Sequence, residues 1–374
     1  MDEFIQQGIR PKQIGYFSFT KKAAMEAATR AAEKFGLDID NDLSNFRTLH
    51  SLAFRNLGMT KEKMMKIEDY KEFGQKCGIP IKTARYSVED GTFNSDNEYL
   101  TIINTARVKR VDLMEYYDSR QNILDIERST LFLLAEELER FKKEKGLKDF
   151  TDLLEDFIEK SLPGSFEVLF IDEAQDLSLL QWEMVRHLWK YAKKTYIAGD
   201  DDQAIFKWAG ADVDHFIALK EEVNDIKVLD QSYRIPGGPI HELSQKIINK
   251  VQNRFQKEYK PRDEIGLLKR YSDITQVDMS KGNWLVLSSA NYFLDDAKDL
   301  CEIQGWYYQY KGINSVPLKL LLALNNWESW RKGEFLNHLE IKNVYEYLGE
   351  NVSVGFKKGK TLHSDAKYTL KECQ

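Results

Sequence analysis

The chain has 374 residues, enough for two or three domains, with 42% apolar side chains, 30% charged side chains and a formal net charge of −6. This balance excludes a disordered chain and a global basic field for nucleic acid, but it leaves room for a local track lined by stacking aromatics. Three widely spaced cysteines, no Cys-x-x-Cys pair and six scattered histidines argue against structural zinc and fit a reducing cytoplasm.

The first apolar run, Ile14-Gly-Tyr-Phe-Ser-Phe19, predicts a strand, and the stretch from Thr20 to Phe35 predicts a helix. Alanine pairs at 23/24, 27/28 and 31/32 recur at helical spacing, and Gly36 is placed to stop the helix. From about Thr60 to Gly146 the pattern changes to charged amphipathic helix, which predicts a helical insertion. Strands then resume at Phe166–Ile171, Lys194–Ala198, Lys227–Leu229 and Trp284–Ser288, each feeding a polar, sharply turning segment. Apolar strands alternating with helices predict an α/β fold with a mostly parallel sheet, whose ligands sit beyond the carboxyl ends of the strands. The start, Met1-Asp-Glu-Phe-Ile-Gln, has no signal-peptide pattern, and the apolar stretch Leu318–Leu324 is too short to span a bilayer, so a cytoplasmic protein with no membrane partner is expected.

Three polar clusters fall at those strand ends. Asp172 and Glu173 open the string Asp-Glu-Ala-Gln-Asp176 behind a buried strand. Paired carboxylates there suit nucleotide hydrolysis, one holding the hydration shell of Mg²⁺ and the other taking a proton from attacking water. A solvated turn or helix cap is the plainer alternative. In Gly199-Asp-Asp-Asp-Gln203, the glutamine can bond a terminal phosphate, and Phe206 and Trp208 offer a platform for unpaired bases, against the alternative of an acidic loop with core aromatics. Arg234, in Ser232-Tyr-Arg-Ile-Pro236, can neutralise charge on a γ-phosphate or simply form a surface ion pair. The lysines at 142, 143 and 145 and the Lys357-Lys-Gly-Lys360 run read as solvated faces.

In this order the segments resemble the UvrD/Rep-like superfamily 1 DNA helicases. Ser18-Phe-Thr-Lys-Lys-Ala-Ala24 resembles motif Ia, Thr48-Leu-His-Ser-Leu-Ala-Phe-Arg55 motif Ib, and Lys148-Asp-Phe-Thr-Asp-Leu-Leu154 the segment before motif II. Asp172–Asp176 resembles motif II, Gly199–Asp212 motif III and Gln231–Arg234 motif IV. The resemblance implies a RecA-like, P-loop NTPase-type motor domain at 1–60 and 147–220. It also implies a 1B-like helical insertion at 61–146 and part of a second RecA-like domain at 221–374. It implies ATP and Mg²⁺ as cofactors, single-stranded or partly duplex DNA as substrate, and 3′-to-5′ unwinding. Asp172 would hold the metal, Glu173 would activate water, and Gln203 and Arg234 would meet the γ-phosphate. Phe19, Phe206 and Trp208 would stack on bases, with Thr20, Thr48 and His50 along the strand. Ala204 and Ala209 depart from the family pattern, as does Ser288-Ser-Ala-Asn291, which lacks an arginine that relatives often have.

No Gly-x-x-x-x-Gly-Lys-[Ser/Thr] loop occurs in the 374 residues. In relatives that loop lies about 25 residues before motif Ia, whereas 17 residues precede Ser18 here. Motifs V and VI are absent as well. The expectation is a fragment, a mis-assigned start, or a split protein whose phosphate loop is separately encoded, with little ATP hydrolysis by this chain alone. A catalytically inactive single-strand DNA binder or helicase partner is the alternative.

Overall fold

Parallel strands organise the first part of the chain. The computed structural model describes residues 2–87, 92–120, 126–160, 164–348 and 362–373. Its contacts separate one unit, Met1–Leu267, from a second, Leu268–Gln374.

The first unit begins with α1 (Asp2–Gln6), β1 (Ile14–Ser18), α2 (Lys21–Phe35), β2 (Phe46–Thr48) and α3 (Leu49–Asn56). Helix α2 is the alanine-paired helix read from the sequence. The Thr20 hydroxyl accepts the Ala23 N–H at 3.2 Å to cap its start, and Gly36, at φ +65°, ends it in the left-handed conformation. Ala24, Ala28 and Ala31 are buried, and such small side chains let a helix backbone lie close to a sheet.

The predicted insertion holds α4 (Ile67–Cys77), β3 (Ala84–Ser87), β4 (Thr92–Ser95), α5 (Glu98–Val108), α6 (Leu113–Asp118) and α7 (Arg128–Lys145). It is mostly helical, but β3 and β4 pair antiparallel. Phe73, Leu100, Leu131, Leu138 and Phe141 give it a core of its own. Where it meets α8 (Phe150–Lys160), a buried ion cluster forms. Lys142 Nζ lies 2.9 Å from Asp149, 2.8 Å from Asp152 and 2.7 Å from Glu139. Arg107 lies 2.7 Å from Asp149, 2.5 Å from Asp152 and 2.6 Å from Glu155. Lys142 is only 3% exposed, which corrects the solvated-face reading for that lysine. A buried ammonium persists because several carboxylates surround it.

The chain then returns to the sheet through β5 (Phe166–Asp172), α9 (Leu179–Trp189), β6 (Ala192–Ile197) and α10 (Val213–Ala218). The order is β2-β1-β5-β6, parallel throughout, as the sequence predicted for an α/β fold. One face belongs to the main core with Phe17, Leu169, Ile171, Leu153, Phe157 and Trp182. Full burial of a side chain such as Phe157 is worth about 1.5–3 kcal/mol. On β1, β2, β5 and β6, Tyr16, Phe46, Phe170 and Tyr196 stand at matched register, with neighbouring ring centroids 5.3–6.5 Å apart. The carboxyl ends of β1, β5 and β6 therefore finish side by side.

Beyond α10 come β7 (Gln231–Gly237), α11 (Pro239–Ile248) and β8 (Lys260–Ile265), with β7 and β8 parallel. The strand predicted at Lys227–Leu229 starts instead at Gln231, so Gln231–Arg234 lie within the strand and not beyond its end. The contacts divide the chain at Leu267/Leu268, and side chains from 254–259 bond the Asp200–Asp202 turn.

The second unit contains α12 (Asp295–Gln304), β9 (Gln309–Tyr310), β10 (Ile313–Asn314), α13 (Leu318–Arg331), β11 (Leu336–Asn337), α14 (His338–Tyr345), β12 (Lys367–Tyr368) and α15 (Leu370–Cys373). Its core is Trp330, Leu336, Ile341, Val344, Leu362 and Cys373. The strand predicted at Trp284–Ser288 does not form: Leu285 and Leu287 are about four-fifths exposed, and among the described residues no strand pairs with that run. The strand pairs of this unit, β9–β10 and β11–β12, are antiparallel, so a second parallel sheet is not present among its described residues. The Lys357–Lys360 run lies outside the described residues. Among those described, no helix is long and apolar enough to cross a membrane.

Candidate nucleotide and nucleic-acid site

Asp172 is the last residue of β5 and stands beside Ser18 of β1 in the parallel register. The Tyr16 hydroxyl, on the same face two residues earlier, donates to Asp172 Oδ2. Burial, and then that bond to a carboxylate, push the phenol well above its ordinary value. Asp172 Oδ1 has no hydrogen-bond partner among the described residues. The Ser18 hydroxyl is buried and equally unpartnered.

Glu173 follows at φ +53°, a left-handed backbone uncommon for a residue with a side chain. The turn carries its carboxylate off the strand and into the open, where Gln175 steadies it. Gln175 Nε2 donates to Glu173 Oε2 at 2.8 Å and to Asp176 Oδ2 at 3.2 Å, while Gln175 Oε1 accepts the Asp200 N–H at 3.0 Å. One amide thus ties the end of β5 to the turn after β6. Gly199 permits that approach, since a Cβ there would sit 2.7 Å from Gln175 Oε1 and 2.8 Å from the Phe216 ring. Burial, reinforced by the negative charge of Glu173, raises the Asp176 carboxyl to about 6.

Gln203 lies in the same turn and donates from Nε2 to Asp200 Oδ2 at 2.6 Å. The structure therefore links Glu173 and Gln203 through Gln175 and Asp200, whereas Asp172, next to Glu173 in the chain, is bonded by Tyr16. Arg234 is not part of it. It is exposed on β7, its N–H donates to Ser232 Oγ at 3.3 Å, and its guanidinium makes no bond among the described residues.

The aromatic residues gather one step further along the turn. Phe206 lies 5.1 Å from Phe19 and 6.3 Å from Trp208, centroid to centroid. Phe19, expected to stack on bases, is buried beneath Phe206, whereas Trp208 is 64% exposed and has the open face. Thr20 and Thr48 spend an acceptor lone pair capping α2 and α3, and each keeps a hydroxyl proton to donate. His50 bonds the Tyr86 hydroxyl at 3.0 Å through Nδ1, and burial lowers its pKa to about 3, so it is neutral at physiological pH. His50, Tyr86, Phe19 and Phe206 line one shallow cleft.

Among the described residues, no group of three His, Cys, Asp or Glu side chains is arranged to hold a metal ion. Mg²⁺ is commonly bound by one or two carboxylates plus phosphate oxygens and retained waters. The unpartnered Asp172 Oδ1 and the orphaned Ser18 hydroxyl beside it fit such an ion. Sequence reasoning missed Tyr16, Gln175 and Tyr86. Only Tyr16 left a signal, since strand alternation puts residues 16 and 18 on one face.

A family model described as the UvrD/REP helicase N-terminal domain matches residues 2–224. A probable DNA helicase II homolog of Mycoplasma pneumoniae is 26% identical over 253 residues, covering 62% of this chain and 35% of that protein. The ATP-dependent DNA helicase Rep of Buchnera aphidicola subsp. Baizongia pistaciae is 23% identical over 367 residues, covering 90% of this chain and 51% of that protein. Its namesake from Escherichia coli is 25% identical over 249 residues, covering 62% and 35%. The chain thus spans between about a third and a half of the length of these relatives.

Proposed function

This chain belongs to the UvrD/REP helicase family, and from that we propose that residues 1–374 form part of an ATP-driven motor that moves along single-stranded DNA and unwinds duplex. The direction would be 3′ to 5′, as the family resemblance implies. The observation that carries the reading is the chain of bonds from Glu173 through Gln175 and Asp200 to Gln203, with the open face of Trp208 a few residues beyond.

Bound Mg²⁺–ATP supplies the phosphoanhydride that is broken and the charge neutralisation its phosphates need. Asp172 and Ser18 would hold the ion. Glu173 accepts the proton of the attacking water, and Gln175 orients its carboxylate. Gln203, tethered to Asp200, exchanges that bond for one to the terminal phosphate. Because the same turn continues to Phe206 and Trp208, a shift of Gln203 is transmitted to the base platform. Arg234 reaches the phosphates only after β7 moves towards the turn. The backbone amides that grip the phosphates belong to a Gly-x-x-x-x-Gly-Lys-[Ser/Thr] segment that is not among residues 1–374. Such a segment, separately encoded or not, is a required partner.

A second reading, a single-strand DNA binder without hydrolysis, rests on the aromatic turn with its exposed Trp208. One experiment separates the two. Oligo(dT) binding is measured by fluorescence anisotropy, and ATP hydrolysis is followed with and without a supplied phosphate-loop segment. Both readings expect Trp208→Ala to weaken binding by about 1–3 kcal/mol. The motor reading expects hydrolysis near background for the chain alone, a rise when the segment is added, and loss of that rise in Glu173→Gln. Unaltered DNA binding by Trp208→Ala would remove the base platform from both readings.

A further inference from the structure

The acidic turn is strapped down by residues that the nucleotide chemistry does not use. Arg254 grips Asp202 with both ends of its fork, Nε to Oδ1 at 2.9 Å and Nη2 to Oδ2 at 2.6 Å, and the two side chains are 2% and 6% exposed. Arg254 Nη1 also donates to Asn249 Oδ1 at 3.1 Å. Lys257 stands 3.0 Å from Asp200 and 3.1 Å from Asp202 and also bonds Asp201. The Phe255 N–H donates to Asp201 Oδ2 at 2.7 Å, and the Tyr259 hydroxyl donates to Asp200 Oδ2 at 2.6 Å. Three consecutive carboxylates are thus matched within one six-residue stretch, a density that fixes a loop more firmly than isolated surface pairs do.

The Asp200 oxygen that receives Tyr259 is the one that receives Gln203. At its other end the turn presents Phe206 and Trp208. Residues 254–259 run directly into β8, which pairs with β7, the strand that carries Arg234.

We propose that Arg254, Lys257 and Tyr259 form a latch, a set of positioning residues that hold the 200–210 turn so that Gln203 and the Phe206–Trp208 platform are presented together. With the latch open, DNA binding weakens although no residue that touches DNA has changed. Movement of the β7–β8 pair reaches the platform through this latch. The DNA arm of the proposal rests on the platform reading given above.

The test uses the full chain with Tyr259→Phe and Lys257→Met, and with Arg254→Lys, which keeps the charge but loses the bidentate fork. Anisotropy titrations with labelled oligo(dT) of about 20 nucleotides are paired with deuterium uptake by the amides of residues 200–210. Lys257→Met is expected to bind about fivefold to tenfold more weakly, the loss of part of one base-stacking contact. Uptake should rise across 200–210 and not elsewhere, and Tyr259→Phe and Arg254→Lys should show the same change to a smaller degree. Wild-type affinity together with wild-type uptake in the Lys257 and Tyr259 variants overturns the latch. If the unaltered chain fails to bind oligo(dT), the platform reading falls and uptake alone decides. Faster exchange confined to 200–210 then supports the latch, and unchanged exchange overturns it.

Discussion

Replacing Lys142 with methionine keeps the length of the side chain and removes the charge at the centre of the cluster that joins the helical insertion to α8. In the intact protein, burial works against ionised Asp149, but Arg107 and Lys142 outweigh it and hold that carboxyl below its usual value. With Lys142 gone, Arg107 alone faces Asp149, Asp152 and Glu155. Breaking a buried ion network by removing one partner costs about 3–5 kcal/mol. In a unit of this size, that lowers the melting temperature by roughly 10 °C. The effect must depend on pH. A carboxylate with a depressed folded pKa contributes stability above its unfolded value of 3.8, and that stability is lost as pH falls through the folded value. The variant loses part of the depression, so its carboxylates protonate earlier, and the gap to wild type stays constant above about pH 4 and narrows as pH falls below 3.8. Urea denaturation followed by circular dichroism at several pH values measures both quantities. A cost below about 1 kcal/mol that does not vary with pH, as for an exposed pair, would refute the reasoning.

Two further substitutions test the site's architecture. Gly199→Ala places a methyl group against Gln175 Oε1 and Phe216, and is expected to cost about 1–3 kcal/mol in the same denaturation assay while detaching Gln175 from the turn. His50 is held neutral by burial, with a folded pKa of about 3 against an ordinary 6.5, so its contribution is intact above 6.5 and is lost as pH falls towards 3. His50→Gln should therefore flatten the acid limb of the stability curve, and an unchanged slope from pH 6.5 downwards would contradict the burial of the ring.

The sequence was most legible where one physical cause acts alone. The runs at Ile14 and Phe166 and the alanine pairs after Thr20 became β1, β5 and α2 because periodicity and capping pointed the same way. The carboxylates and glutamine at the strand ends met because parallel strands finish side by side. Other features depend on partners distant in the chain. Lys142 resembled any helix-end lysine until Asp149 and Asp152 closed over it. The apolar run at Trp284–Ser288 promised a strand, but a strand also needs a neighbour to supply its ladder. The short, polar β3–β4 pair carried no strand pattern, and nothing about Arg254 or Tyr259 marked them as the counterweights of Asp202 and Asp200. Phe19, expected to stack on bases, lies buried against Phe206, since sequence gives a ring's neighbours in the chain and not the side chain that will cover it.

The left-handed backbone of Glu173 bears on how this position tolerates change over generations. A side chain there costs about 1 kcal/mol relative to glycine, and asparagine bears the conformation better than glutamate does. Conformation and chemistry therefore pull this codon in opposite directions. Glycine or asparagine at 173 would relieve the backbone, and in the proposed role as base the glutamate keeps a carboxylate at the strand end despite that cost.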